Sequence, residues 1–147
     1  MKLYPKHLTP DSTELYTLEG ISYDIPVGNT SLKKYQGKEL INTCGVKPVL
    51  EFNNNPVLAE LAIQRIASQD KWESRWVETY AQSKKLPYFF TGWTNVSLKE
   101  QIVSPIKDNY VMDVLSDISK ENGNSYSGCW GVVAWKDRNI VFFESKH

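Results

Sequence analysis

The stretch from Gly128 to Lys146 constrains the fold more than any other part of the chain. Val132 to Trp135 and Ile140 to Phe143 are apolar at consecutive positions and are separated only by Lys136-Asp137-Arg138-Asn139. A turn centred on Asp137-Arg138 folds them into a β-hairpin that sets Trp135 opposite Ile140, Val133 opposite Phe142 and position 131 opposite Glu144. Alternate residues of a strand point to opposite faces, so one face carries Trp130, Val132, Ala134, Val141 and Phe143, and the other Val133, Trp135, Ile140 and Phe142. A hairpin apolar on both faces has to be covered on both. The expectation is an α/β chain with a mixed central sheet flanked by helices.

The second strand runs into Glu144-Ser145-Lys146, an acid-x-lysine triplet. If the strand continues that far, Glu144 and Lys146 project side by side, and a carboxylate beside an ammonium can hold a divalent cation and steady a phosphate or a water. The position facing Glu144 across the hairpin is Gly131, which offers no second carboxylate. Asp137 lies in the turn and is too far along the strand to replace it.

A chain of 147 residues with 41% hydrophobic content is long enough for one core and short for two, which predicts a single domain. No run of about 18 apolar residues occurs, and Met1-Lys2-Leu3-Tyr4-Pro5 lacks the apolar segment of a secretion signal, so the expected location is cytoplasmic with no membrane partner. Cys44 and Cys129 have no metal-binding spacing and the histidines, His7 and His147, sit near the termini. Reduced thiols packed as small side chains are expected there, and not a structural zinc site. Lys+Arg and Asp+Glu balance at 17 each. Any contact with nucleic acid must therefore rest on a local patch, and Lys33-Lys34 and Lys84-Lys85 read as solvated surface pairs.

Residues 1–20 show no sustained period and are expected to form an irregular, loosely attached N-terminal arm. Short strands are predicted over Ile21 to Val27 and Pro48 to Phe52. Asn53-Asn54-Asn55-Pro56 offers an asparagine cap followed by a proline at the first helical position, predicting a helix from Pro56 to about Ser68 with Leu58, Leu61, Ala62 and Ile66 inward. A strand follows from about Ser74 to Thr79, then an aromatic segment from Leu86 to Trp93. A helix from Asp108 to Lys120 is stopped by Glu121-Asn122-Gly123. Trp72, Trp76, Trp93, Trp130 and Trp135 are read as packing residues, although such rings can also stack on bases.

The order of these pieces carries a resemblance. A helix bearing Glu60, the strand Trp76-Val77-Glu78-Thr79, a helix, then Ser127-Gly128-Cys129-Trp130-Gly131-Val132-Val133-Ala134-Trp135 and Phe142-Phe143-Glu144-Ser145-Lys146 resembles the PD-(D/E)XK nuclease superfamily, in particular its VRR-NUC-like branch, over residues 55–146. The resemblance implies a restriction-endonuclease-like core, here C-terminally truncated, and magnesium or manganese as the cofactor. It implies that Glu144 is a metal ligand, that the Ser145 carbonyl is another, that Glu60 is the helix acid, and that Lys146 orients the attacking water or stabilises developing charge. The chain departs from the family pattern where Gly131 stands in place of the motif aspartate, and where it stops at His147 before the usual basic helix and strand. Asp113 and Asp117 lie on a helix whose orientation the sequence leaves open.

The function so implied is metal-dependent phosphodiester hydrolysis of DNA, with activity lost or residual because a motif carboxylate is missing. The alternative is a catalytically inactive nuclease-fold module that binds nucleic acid or a partner protein. Three explanations of the missing layer stay open: the chain is a piece of a longer one, a second copy in a homo-oligomer or a partner chain supplies the layer, or the fold has lost its catalytic use.

Overall fold

The computed structural model describes residues 2–37, 47–79, 85–128 and 130–146. Cys44, Cys129, His147 and Lys84 lie outside the described residues, so the reading of the two thiols is not addressed by the structure. In chain order the elements are β1 (Ser12–Leu18), β2 (Ile21–Val27), β3 (Leu50–Phe52), β4 (Asn55–Val57), α1 (Ala59–Gln69), β5 (Glu73–Glu78), β6 (Tyr88–Phe90), α2 (Asn109–Glu121), β7 (Val132–Lys136) and β8 (Asn139–Phe143), with single 3-10 turns at Lys6–Leu8 and Leu98–Glu100.

Strands β6, β5, β7 and β8 form a four-stranded sheet in that order. Every pair in it is antiparallel, so the expected mixed sheet is corrected to an antiparallel one. The reason lies in the connections. β7 and β8 are joined by a tight turn, and the long excursion through α2 returns β7 alongside β5 in the reverse direction rather than as a parallel crossover. The register of the terminal hairpin follows the sequence pattern, with Val133 opposite Phe142, Trp135 opposite Ile140 and Lys136 opposite Asn139.

An antiparallel sheet usually has one wet face. This one is covered on both, because β6, β7 and β8 are apolar at successive positions and β5 adds Trp76 to one face and Val77 to the other. On one face Trp76 and Phe90 meet Val57 at the end of β4, Leu58 just before α1, and Leu61 and Ala62 in its first turns. Ala67, Trp72, Ala134 and Val141 extend that face, with Tyr4, Leu8 and Phe143 against them. On the other face Val77, Phe89, Val133 and Trp135 meet Ile106, Val111 and Leu115, the last two from α2. The sheet is thus sandwiched between α1 and α2.

Two helix starts show different chemistry. Asp108 caps α2 as its pattern suggests, its carboxylate accepting the Val111 N–H at 3.1 Å. The asparagine run does not cap α1, which begins at Ala59 after Leu58 with no side-chain cap. Asn53 and Asn54 instead adopt positive φ of 49° and 66° and form the two-residue turn between β3 and β4, with Pro56 inside β4. Asparagine tolerates the left-handed region better than other non-glycine residues, and a two-residue hairpin demands it, so the turn wins over the cap.

The N-terminal arm is also corrected. Ser12 to Leu18 is a regular strand paired with β2 from Ser12↔Val27 to Leu18↔Ile21. The segment before it is tied down: Pro5 is fully buried, and Asp70, just after α1, accepts the His7 backbone N–H at 2.7 Å and sits 2.6 Å from His7 Nδ1. Burial raises the Asp70 pKa, but the His7 contacts and nearby Lys6 outweigh it and hold the carboxyl below its ordinary value.

Trp130 falls on the face opposite to the one alternation assigned it. It packs against Phe142, ring centroids 4.4 Å apart, among the α2-side residues. The strand begins only at Val132, and outside the strand the two-residue period no longer applies.

Candidate functional site

Three features of distant sequence meet where α1 begins, where β7 is entered and where β8 ends. Glu60 lies in the first turn of α1. Gly131 immediately precedes β7, its carbonyl accepting the Val77 N–H at 2.8 Å and its N–H donating to the Phe143 carbonyl at 3.1 Å. Glu144 immediately follows β8. A Cβ placed on Gly131 would lie 3.3 Å from Glu60 Cγ and 3.7 Å from Glu144 Oε1. The glycine thus faces the helix acid and the post-strand acid at once.

A cation that sequence reasoning missed completes this cluster. Lys47 Nζ is 2.6 Å from Glu60 Oε1, with the Glu60 side chain 13% exposed. Nothing in the sequence marks Lys47, which stands thirteen positions before Glu60 and reaches it only through the tertiary fold. Glu144 is pushed above its ordinary carboxylate range by burial and by the negative charge of Glu60, against the opposing pull of Lys47 and the Gly131 backbone amide. Two carboxylates therefore repel one another across a lysine that partly neutralises them.

The raised Glu144 pKa has a definite sign for stability. The folded state holds the Glu144 proton to higher pH than the unfolded chain, so stability falls as pH rises from its ordinary value of 4.5 through the raised one. Glu144→Gln is expected to flatten that part of the decline, by a small amount because the residue is largely exposed. Urea denaturation of both proteins across this range checks it, and equal slopes would assign the decline elsewhere.

Lys146 is not part of the cluster. β8 ends at Phe143, and the Lys146 ammonium lies 3.4 Å from Glu14 Oε1 on β1, both side chains well exposed. Among the described residues no ion pair joins Lys146 to Glu144. The pairing expected of the triplet gives way to another one: strand pairing ends at Phe143, and the Lys146 ammonium meets Glu14 in place of Glu144. Ser145, half-buried, links them.

Asp113 and Asp117 are exposed on α2, which covers the sheet face opposite α1, and so do not join Glu60 and Glu144. Asp137 is exposed in the β7–β8 turn. Among the described residues no group of three or more His, Cys, Asp or Glu side chains comes together. The acids available at one place are thus Glu60 and Glu144. The tryptophans meet the packing expectation at Trp76, which is wholly buried, and at Trp72 and Trp135, which are 6% exposed.

A cleft of about 430 Å³ runs further along α1, lined in part by Asn53, Gln64, Arg65, Trp72 and Thr91, and includes neither Glu60 nor Glu144. No helix among the described residues is long and apolar enough to cross a membrane. No protein-family model, curated protein or solved structure matches the chain.

Proposed function

We propose that this chain is a PD-(D/E)XK-like nuclease domain acting on DNA with magnesium or manganese, its activity residual because Gly131 supplies no carboxylate. The observation that carries the reading is the direction of the missing Gly131 side chain, toward both Glu60 and Glu144. In the resemblance these two residues are the helix acid and the acid of the Glu-x-Lys triplet. An aspartate at 131 would make a third.

The donor set fits a weak magnesium site. Magnesium keeps several waters and needs only a carboxylate or two from protein, and mutual repulsion between Glu60 and Glu144 is relieved by a cation. When bound, the ion supplies a water of lowered pKa and charge neutralisation at the phosphate. Glu60 and Glu144 hold the cation in this reading. Lys47, rather than Lys146, is the ammonium close enough to the acids to neutralise a phosphate oxygen or orient a water.

Cleavage of supercoiled, linear and branched DNA, with and without manganese or magnesium, tests the proposal against Glu144→Ala and Glu60→Gln. Metal-dependent nicking that both substitutions reduce is expected. The same background from all of the proteins removes the enzymatic reading. It would favour the inactive nucleic-acid or partner-binding module, for which the 2.6 Å Lys47–Glu60 pair is the supporting contact, since it already neutralises one acid without metal. In that case binding persists in EDTA and in Glu144→Gln.

A further inference from the structure

Among the described residues, β1 and β2 pack against one another and stay open to solvent. Every residue of β1 is exposed, and β2 is exposed up to Pro26. Its register sorts its side chains by face. Leu18 lies opposite Ile21, Tyr16 opposite Tyr23 and Glu14 opposite Ile25, and these rows share one face. The other face carries Leu15, Thr17, Ser22 and Asp24. On the first face Tyr16 is 53% exposed, Leu18 51%, Ile21 57%, and Tyr23 and Ile25 46% each.

An isolated two-stranded ribbon is marginal in water, and this one presents a continuous apolar face to solvent. We infer that the Tyr16/Leu18/Ile21/Tyr23/Ile25 face of the β1–β2 hairpin is a homodimer interface, two copies of the chain packing these faces together about a two-fold axis.

Charge selects the occupant. From Ser12 to Val27 the hairpin carries Glu14, Glu19 and Asp24 and no Lys or Arg, which turns away nucleic acid and anionic membranes despite the paired tyrosines. A second copy brings the same acids, but Asp24 lies on the opposite face and Glu19 in the turn, which leaves Glu14 as the one acid on the packed rows. With the axis through the Tyr16/Tyr23 row, the Leu18/Ile21 row of one copy covers the Glu14/Ile25 row of the other. Glu14, the acid on that face, already has Lys146 at 3.4 Å to offset its charge. The exposed parts of these side chains amount to roughly 500 Å² per copy, so about 1,000 Å² is buried between two, the size at which specific interfaces begin.

Sedimentation velocity on the full chain over a wide micromolar range tests the interface. Wild type is expected to pass from monomer to dimer with concentration, and hydrogen exchange of the β1 and β2 amides to slow in parallel. Tyr16→Lys/Tyr23→Lys should weaken dimerisation by at least about thirtyfold, a hot-spot effect, while Leu15→Lys on the opposite face leaves it unchanged. A wild-type monomer at every concentration overturns the inference. So does a dimer that survives the tyrosine substitutions, or one that Leu15→Lys disrupts equally. DNA cleavage is read separately, because Glu60 and Glu144 lie outside the substituted face.

Discussion

Trp76→Ala should lower the unfolding free energy by about 4 kcal/mol, the largest effect expected of any single truncation in this chain. Trp76 is fully buried at the centre of the α1-facing layer. Its indole meets Phe90 edge-on at 5.1 Å and Trp93 at 5.3 Å, and its N–H donates to Glu78 Oε2 at 3.2 Å. Alanine removes the apolar contact, leaves a void that Leu58, Leu61 and Phe90 fill only in part, and takes a donor from Glu78. Domains of this size are stable by only about 5–15 kcal/mol, so about a quarter or more of the total is at stake. The melting temperature should fall by roughly 10 °C. Trp76→Phe keeps most of the packing and separates the lost hydrogen bond from the lost volume. Guanidinium denaturation measures all three proteins, and a loss under about 1.5 kcal/mol for alanine would mean the layer re-collapses around the gap.

The same layer shows why so much of the fold is legible in the sequence. Trp76 and Val77 are adjacent, yet one packs under α1 and the other under α2. Apolar runs in β6, β7 and β8, with Trp76-Val77 in β5, put large apolar side chains on both faces of the sheet, so cover on both sides follows from residue type. The helix from Asn109 to Glu121 is equally legible, because its Asp108 cap and its stop at Asn122 are local events. The start of α1 is not, since Asn53-Asn54 can either cap a helix or turn a hairpin, and only the pairing of Leu50–Phe52 with Asn55–Val57 decides between them.

The candidate site divides in the same way. Opposition of position 131 to the Glu144 end of the hairpin follows from turn placement and a two-residue period, both local. The nearness of Glu60 to Gly131 requires knowing how α1 lies on the sheet, which the sequence suggests only through the resemblance. Lys47 was invisible because a lone lysine outside any periodic segment has no local signature. Lys146 was misplaced because strand alternation was extended past Phe143, where pairing has ended and Glu14 of another hairpin offers the ammonium a partner. The N-terminal strand has a related reason for escaping notice: its apolar residues stay exposed, so the one-sided burial that usually goes with a strand's alternation is absent.

If Glu60 and Glu144 hold a cation as proposed, Gly131→Asp is expected to strengthen manganese binding by on the order of tenfold or more, by adding a third carboxylate to those two. The substitution is sterically open. Gly131 is not among the glycines held at positive φ, so an L-residue fits the backbone, and the Cβ meets only Glu60 Cγ closely, at 3.3 Å, a contact that a small shift of that side chain relieves. Without metal a third carboxylate adds repulsion to the pair that already pushes the Glu144 carboxyl upward, so the variant should be less stable than wild type in EDTA at neutral pH. With metal the sign reverses, because a ligand that binds the folded state stabilises it by RT ln(1 + [L]/Kd). Melting curves in EDTA and in manganese chloride, with calorimetric titration, read both halves. Gly131→Asn adds comparable bulk without the charge and should show neither the loss nor the gain. Adding Glu144→Ala to Gly131→Asp should abolish the gain, since it takes the set back from three carboxylates to two. Equal manganese responses from wild type, Gly131→Asp and Gly131→Asn would mean that the space in front of Gly131 is packing and not the vacated corner of a metal site.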